Sequence, residues 1–245
     1  MDGQEGTGLP ASIEAAWGRR QRPTKGPAPG LTLELIVNAG VRIARSEGLT
    51  AVSMARVASE LDASTMSLYR YVAAKDELLA LMVDAALGPP PNPVEPDEGW
   101  RAWLTSWAWT YHARAREHPW ALRVPVSGPP TTPNQVAWLE YGLQSLHDTG
   151  LGEEEKASVV LLLSGYVRNE ATLTADLTAG NAITDAAMSG YARLLATLTA
   201  PGSFPAIHAL LAAGVFDKAD DPDDEFRFGL ERILDGIDTL VRARA

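Results

Sequence analysis

The chain has 245 residues, 46% of them apolar, and a formal net charge of −10; this suits one large or two modest domains with real cores and excludes a disordered chain. No cysteine occurs, which excludes disulfides, thiolate nucleophiles and cysteine metal sites and fits a reducing, cytoplasmic setting. The first thirty residues hold no apolar signal stretch, and the longest apolar run, Leu78 to Val83, is too short to span a bilayer, so a soluble protein with no membrane partner is expected.

In chain order, residues 1–30 read as a flexible basic arm: Gly, Pro and charge dominate, Arg19, Arg20, Arg22 and Lys25 cluster, and only Ile13 to Trp17 has the makings of a short turn. A first helix spans about Thr32 to Ser46, with Leu35, Ile36, Ala39, Val41 and Ile43 toward a core, and Gly48 ends it. Two short helices, Ser53–Leu61 and Ser64–Val72, and a longer one, Lys75–Leu87, complete a domain over 31–87. Gly88 and the prolines at 89, 90, 91, 93 and 96 then stop any helix and mark a domain boundary.

The second domain, 97–245, opens with a Trp-rich helix from Gly99 to Glu117, and a Pro-rich interruption from Pro125 to Pro133 leads to a helix over about Gln135–Asp148. Long helices follow at Glu153–Thr178 and Ala182–Leu198, then a short one at Ala206–Ala213, an acidic turn and a final helix ending at Arg242. No stretch alternates apolar and polar residues as a half-buried strand does, so the fold class is all-α. Charge divides along the same line: Ser12 to Lys75 carries nine Lys and Arg against five Asp and Glu, whereas Asp76 to Ala245 carries twelve against twenty-four. A basic module on an acidic body points to nucleic acid at the N-terminal end.

Ser53 to Lys75 reads as a DNA-binding helix-turn-helix. Ser53 caps a helix whose Met54, Val57, Ala58 and Leu61 form one apolar stripe, and Ser64 caps a second whose Leu68 and Val72 point inward. Met66, Ser67 and Arg70 then face outward with Tyr69 and Tyr71 on the flanks, a polar, aromatic and basic face suited to a major groove and its phosphate walls.

The run Ser64-Thr-Met-Ser-Leu-Tyr-Arg-Tyr-Val-Ala-Ala-Lys-Asp-Glu-Leu-Leu79, preceded by Glu47-Gly48-Leu49 and Ser53-Met54, resembles the signature of the TetR family of transcriptional regulators. The resemblance covers residues 31–87, and Ser53 is counted among the candidate DNA contacts. It implies that Thr65, Met66 and Ser67 approach base edges, that Tyr69 and Tyr71 contact phosphates, and that Arg70 reaches a phosphate or a guanine edge. Lys75 would hold a phosphate with the N–H groups of the helix it begins, as helix-terminus physics also supports. Asp62 stands where the family usually has Gly, and Asp tolerates the left-handed turn better than most residues.

In the second domain Trp100, Trp103, Trp107 and Tyr111 line one face of a helix, with Trp109 and His112 on the other side. Such a stripe suits a core or an aromatic ligand pocket. Asn169 and Glu170 share the stripe of Val159, Leu162, Tyr166 and Leu173 on the next long helix, and buried polar groups need partners. The candidate effector site is therefore Trp103, Trp107, Tyr111, Trp138, Tyr166, Asn169 and Glu170. The final helix carries Phe226, Leu230, Ile233, Leu234, Ile237, Leu240 and Val241 on one wide apolar stripe, which the family resemblance assigns, with the helix from Glu153, to a homodimer interface.

No P-loop, GxGxxG, HExxH or GxSxG occurs, and the four histidines lack metal-ligand spacing, so neither an enzyme nor a cofactor or metal is expected. The run Asp220-Asp-Pro-Asp-Asp-Glu225 lacks the Gly and spacing of a calcium loop and reads as a helix cap. The expected function is a homodimeric TetR-like repressor on a palindromic DNA operator, released by a small apolar or aromatic effector. The alternative is a helix-turn-helix dimer regulated by a protein partner, without a small-molecule ligand.

Overall fold

The computed structural model describes residues 8, 10–19, 30–92, 98–179, 185–217 and 223–244. Its helices are α1 (Ala11–Ala16), α2 (Leu33–Glu47), α3 (Met54–Glu60), α4 (Thr65–Leu68), α5 (Lys75–Leu87), α6 (Gly99–Glu117), α7 (Pro133–Ser145), α8 (Glu153–Ala179), α9 (Asp185–Leu198), α10 (Pro205–Ala212) and α11 (Asp224–Arg242). The described residues contain no strand.

The N-terminal core forms where α2 to α5 turn their apolar faces together. Ile36, Ile43, Val52, Leu68, Val72, Leu78 and Met82 are all buried there. The local start signals are used as polar chemistry dictates: the Oγ1 of Thr32 accepts from Leu35 N–H at 3.1 Å, and Ser53 accepts from Arg56 N–H at 3.1 Å. Gly48, at φ 86°, ends α2. Gly40 lets α2 lie against α5, since a Cβ there would sit 2.6 Å from the Sδ of Met82.

The larger core is built by α6, α7, α8 and α11 around Leu104, Trp107, Trp138, Leu163, Phe226, Leu230 and Leu234. Gly142 brings α7 close to α8, because a Cβ there would meet the Cγ2 of Val160 at 2.9 Å. Arg101 to Asp235 (2.7 Å) and Arg116 to Asp223 (2.5 Å) tie α6 to the interior and the N-terminal end of α11. The helices α9 and α10 and the turn Val215–Asp217 pack on one another.

Three expectations are corrected here. Residues 10–19, expected within a flexible arm, instead form and follow a docked helix: Ile13 is 4% exposed in the N-terminal core, Ser12 Oγ donates to Glu77 Oε2 at 2.6 Å, and Trp17 Nε1 donates to the Thr131 carbonyl at 2.8 Å. One buried Ile and two long-range hydrogen bonds hold α1, none of them visible in local composition. Arg20, Arg22 and Lys25 lie outside the described residues, as does most of the acidic run from Asp220. Asp223 stands at the N-cap of α11 but makes no side-chain capping bond; it pairs with Arg116 instead. The apolar stripe of α11 is divided: Phe226, Leu230, Leu234 and Ile237 are buried in this chain's own core, whereas Ile233, Leu240 and Val241 are half-buried.

Candidate functional site

The helix-turn-helix is held from below and left open above. Leu68 and Val72 are fully buried, which fixes α4 by its inner side, and Ser64 caps it by accepting from Ser67 N–H at 3.2 Å and sharing a 2.8 Å hydroxyl contact with Ser67. Asp62, between the two helices, has φ 49°, the left-handed turn expected there. The helix itself is shorter than its spacing suggests: α4 ends at Leu68, and Tyr69 to Tyr71 form a tight turn in which Tyr71 N–H reaches the Leu68 carbonyl at 2.8 Å.

On the open side Met66 is 75% exposed and Tyr69 45%, Arg70 is exposed, and Thr65 and Ser67 are half-buried at the first turn. Lys75 is exposed at the first position of α5, where Ala74 offers no side-chain cap, so the N–H groups of that turn are left for an outside acceptor. Glu77, in the same first turn, bends back to accept from Ala73 N–H at 3.1 Å and from the Ser12 hydroxyl at 2.6 Å. Ser53 is exposed but occupied as a cap.

Tyr71 departs from its expected role. Its hydroxyl donates to the Leu31 carbonyl at 2.8 Å, so its single O–H anchors the entry to α2 rather than facing a phosphate. Arg56, on the flank of α3, is likewise taken: it bonds Glu47 at 2.6 Å and Glu60 at 3.1 Å, which raises its own pKa and holds the Glu47 carboxyl below the usual range.

In the second domain four of the seven nominated effector residues come together. Trp107 and Trp138 are buried and meet edge to face at 5.6 Å, Tyr111 packs within 5.5 Å of Trp107 and 5.6 Å of Trp138, and Trp103 lies 5.3 Å from Tyr141. Both buried indoles are satisfied internally: Trp107 Nε1 donates to the Trp138 carbonyl at 3.0 Å and Trp138 Nε1 to the Gly88 carbonyl at 2.9 Å. Trp103 and Tyr111, half-buried, form the accessible edge of this wall.

The other three are placed elsewhere. Tyr166 stacks on Phe226, which meets Trp109 and His112 on the opposite side of α6, and its hydroxyl donates to the Phe226 carbonyl at 2.9 Å. Burial and then the charge of Glu170 push Tyr166 up to about 12. Glu170 is raised by burial and by Glu225, whereas Asn169 is exposed and needs no buried partner. The stripe places Tyr166 correctly at a helix contact but gives no sign of which neighbour it contacts.

Sequence reasoning missed the joint between the domains. Asp84, 6% exposed on α5, accepts from Asn134 N–H at 2.9 Å, Gln135 N–H at 3.0 Å and Asn134 Nδ2 at 3.0 Å. Trp120, from the 3-10 turn Pro119–Arg123, packs into the N-terminal core. The available signal is a lone carboxylate in the otherwise apolar Leu78–Leu87 run: a buried charge demands partners, but the sequence does not say which. A groove of about 590 Å³ runs between α8 and α11, lined in part by Val159, Leu162, Ile233 and Leu240 and by none of the nominated effector residues.

Residues 36–82 match the family described as bacterial regulatory proteins, tetR family, and residues 92–241 match the tetracyclin repressor-like C-terminal domain. The HTH-type transcriptional repressor DrrR1 of Streptomyces coeruleorubidus is 40% identical over 239 residues, which span 95% of this chain and 87% of that one. Apo ActR from Streptomyces coelicolor is 29% identical and superposes with a TM-score of 0.75 over 90% of this chain and 100% of its own. ActR in complex with actinorhodin, also 29% identical, gives 0.73 over 87% and 99%.

Proposed function

The chain belongs to the TetR family of bacterial regulatory proteins, and on that premise we propose that it is a homodimeric repressor that grips a two-fold DNA operator and leaves it when a planar aromatic molecule enters the second domain. The observation that carries the DNA half is the pairing of an open recognition face with an uncapped helix terminus. Met66, Tyr69 and Arg70 stand exposed above a buried Leu68, with Thr65 and Ser67 half-buried at the first turn, beside Lys75 and the unspent N–H groups of α5. Base edges are met by the first turn of α4, and phosphates by Tyr69, Arg70 and Lys75. Tyr71 supports this face from behind.

For the effector, Trp103 and Tyr111 form the half-buried aromatic edge of the packed Trp107–Trp138 cluster, apolar surface of the kind a fused-ring ligand contacts, and the relative ActR has been solved with actinorhodin. For the dimer, Leu162, 54% exposed, lines the α8 and α11 groove with Ile233 and Leu240, and Leu161 on α8 and Phe228 on α11 are 75% and 61% exposed, apolar surface that a second copy buries. Two-fold symmetry in the protein then requires it in the operator.

The test is selection of DNA from a random library by the purified chain, followed by titration of the complex with actinorhodin as probe. A selected inverted repeat, released by the probe, is expected. Recovery of no preferred sequence refutes the repressor, and an operator complex untouched by aromatic probes refutes the effector.

A further inference from the structure

After Leu87 the chain runs into Gly88, Pro89, Pro90 and Pro91, which hold no helix, so rigid helix cannot carry a signal from α5 onward along the chain. The polar contacts bypass that stretch through α7. Trp17 Nε1 donates to the Thr131 carbonyl, Asp84 receives the backbone N–H groups of Asn134 and Gln135, Trp138 Nε1 donates to the Gly88 carbonyl, and Tyr141 O–H reaches the Asn92 carbonyl at 3.4 Å. Asn134, Trp138 and Tyr141 are spaced four and three apart, on one face of α7. The rings of Trp138 and Tyr141 belong to the aromatic wall, so the residues proposed to meet an effector are one helical turn from those that hold the DNA-binding domain.

The cap of α7 is unusual. Thr132 occupies the N-cap position with extended backbone, φ −89° and ψ 155°, yet makes no capping bond, and its Oγ1, in a residue only 1% exposed, finds no partner among the described residues. The two N–H groups an N-cap Thr would serve are those of the second and third helical residues, Asn134 and Gln135, after Pro133. Asp84 has taken both. Thr132 is therefore an orphaned acceptor beside the donors it is placed to serve, and a buried unsatisfied hydroxyl carries a cost that regaining a bond would relieve.

Building on the DNA-binding reading above, we infer that α7 exchanges caps: Asp84 of the DNA-binding domain caps it in the operator-competent state, and its own Thr132 caps it when an effector shifts α7 away. Asp84 is thus a positioning residue that fixes the helix-turn-helix on the second domain, and Thr132 stabilises the released state. The two act in opposite directions, which a purely structural role for either does not require.

The test uses the full chain and the operator it selects, with affinity read by fluorescence anisotropy and amide exchange read on the peptide covering 133–138, with and without operator. In the wild type, operator binding slows exchange of the Asn134 and Gln135 amides by about fivefold, the lower end of ordinary coupling. Asp84→Asn weakens operator binding by about fivefold or more and abolishes that slowing. Thr132→Val, which keeps shape and removes the hydroxyl, holds or tightens operator binding and preserves the slowing. The inference is overturned if wild-type exchange at 133–138 ignores the operator, or if Thr132→Val weakens binding as Asp84→Asn does. Should Asp84→Asn fail to fold by circular dichroism, the wild-type and Thr132→Val arms still decide it. Selection of no operator at all refutes the DNA-binding reading; a selected operator to which α7 is indifferent refutes this inference alone.

Discussion

Tyr69 and Tyr71 stand two residues apart, and the family resemblance gives both to phosphate, but the structure separates them. The Tyr71 hydroxyl is bonded to the Leu31 carbonyl at 2.8 Å, whereas Tyr69 is 45% exposed on the open face. Replacing each by Phe removes one oxygen and leaves the ring. For Tyr71→Phe the loss is a partly buried intramolecular hydrogen bond, worth about 1 kcal/mol, or a fall of about 2–4 °C in melting temperature for a chain of this size. Operator affinity should stay within about twofold, because no protein–phosphate bond is deleted. For Tyr69→Phe the lost partner is an anionic phosphate, worth about 1.5 kcal/mol, so affinity falls about tenfold with the melting temperature unchanged. Neither variant alters the salt dependence, since neither removes a charge. Differential scanning fluorimetry and anisotropy titration on one operator give both numbers. Equal affinity losses for the two variants, with no thermal effect of Tyr71→Phe, would refute the division of roles.

Lys75→Ala should weaken binding to operator and random DNA alike and lower the slope of log affinity against log salt by about one, which a salt titration reads directly. Gly142→Ala should cost about 1–3 kcal/mol in denaturant unfolding, because the new Cβ would sit 2.9 and 3.2 Å from the two methyl carbons of Val160, with Trp107 Nε1 at 3.6 Å behind them. Acid should destabilise the chain through His112, which burial against Phe226 and then the charge of Arg116 push below 6.5, Asp223 opposing. As its folded pKa is depressed, the unfolded chain binds the proton first, so stability is full above pH 6.5 and is lost as pH falls through the folded value. Melting temperatures at pH 7.5 and 5.5 should differ more in the wild type than in His112→Gln, and equal differences would remove His112 from the account.

Features carried by neighbouring residues were legible in the sequence. Ser53 and Ser64 announce their caps, Met54, Val57 and Leu68 their buried side, and Asp62 its left-handed turn, because each needs only residues within a turn or two. What was not legible depends on distant partners. A single Ile13 docks α1, the Tyr71 hydroxyl finds a carbonyl forty residues back, and Asp84 finds its donors fifty residues on. The α11 stripe shows the same limit in reverse: its periodicity correctly marks one buried side, but periodicity does not say whether that side is covered by this chain or by a copy. The structure gives Phe226 and Leu230 to the chain's own core, whereas Leu161, Leu162 and Phe228 are exposed.

The proposed joint also has a suitable strength for a switch. Asp84 offers the α7 terminus charge-assisted bonds, individually about 1.5–3 kcal/mol against about 1 kcal/mol for a neutral hydroxyl, and a carboxylate is further favoured by the helix dipole. Burying that carboxylate at 6% exposure opposes the gain. The preference for Asp84 over Thr132 is therefore a difference of a few kcal/mol at most, comparable to the roughly 1–3 kcal/mol by which ligands at separate sites couple. A carboxylate on a helix terminus, with a spare hydroxyl beside it, can hold the operator-competent state and still yield to an effector that binds the released state better.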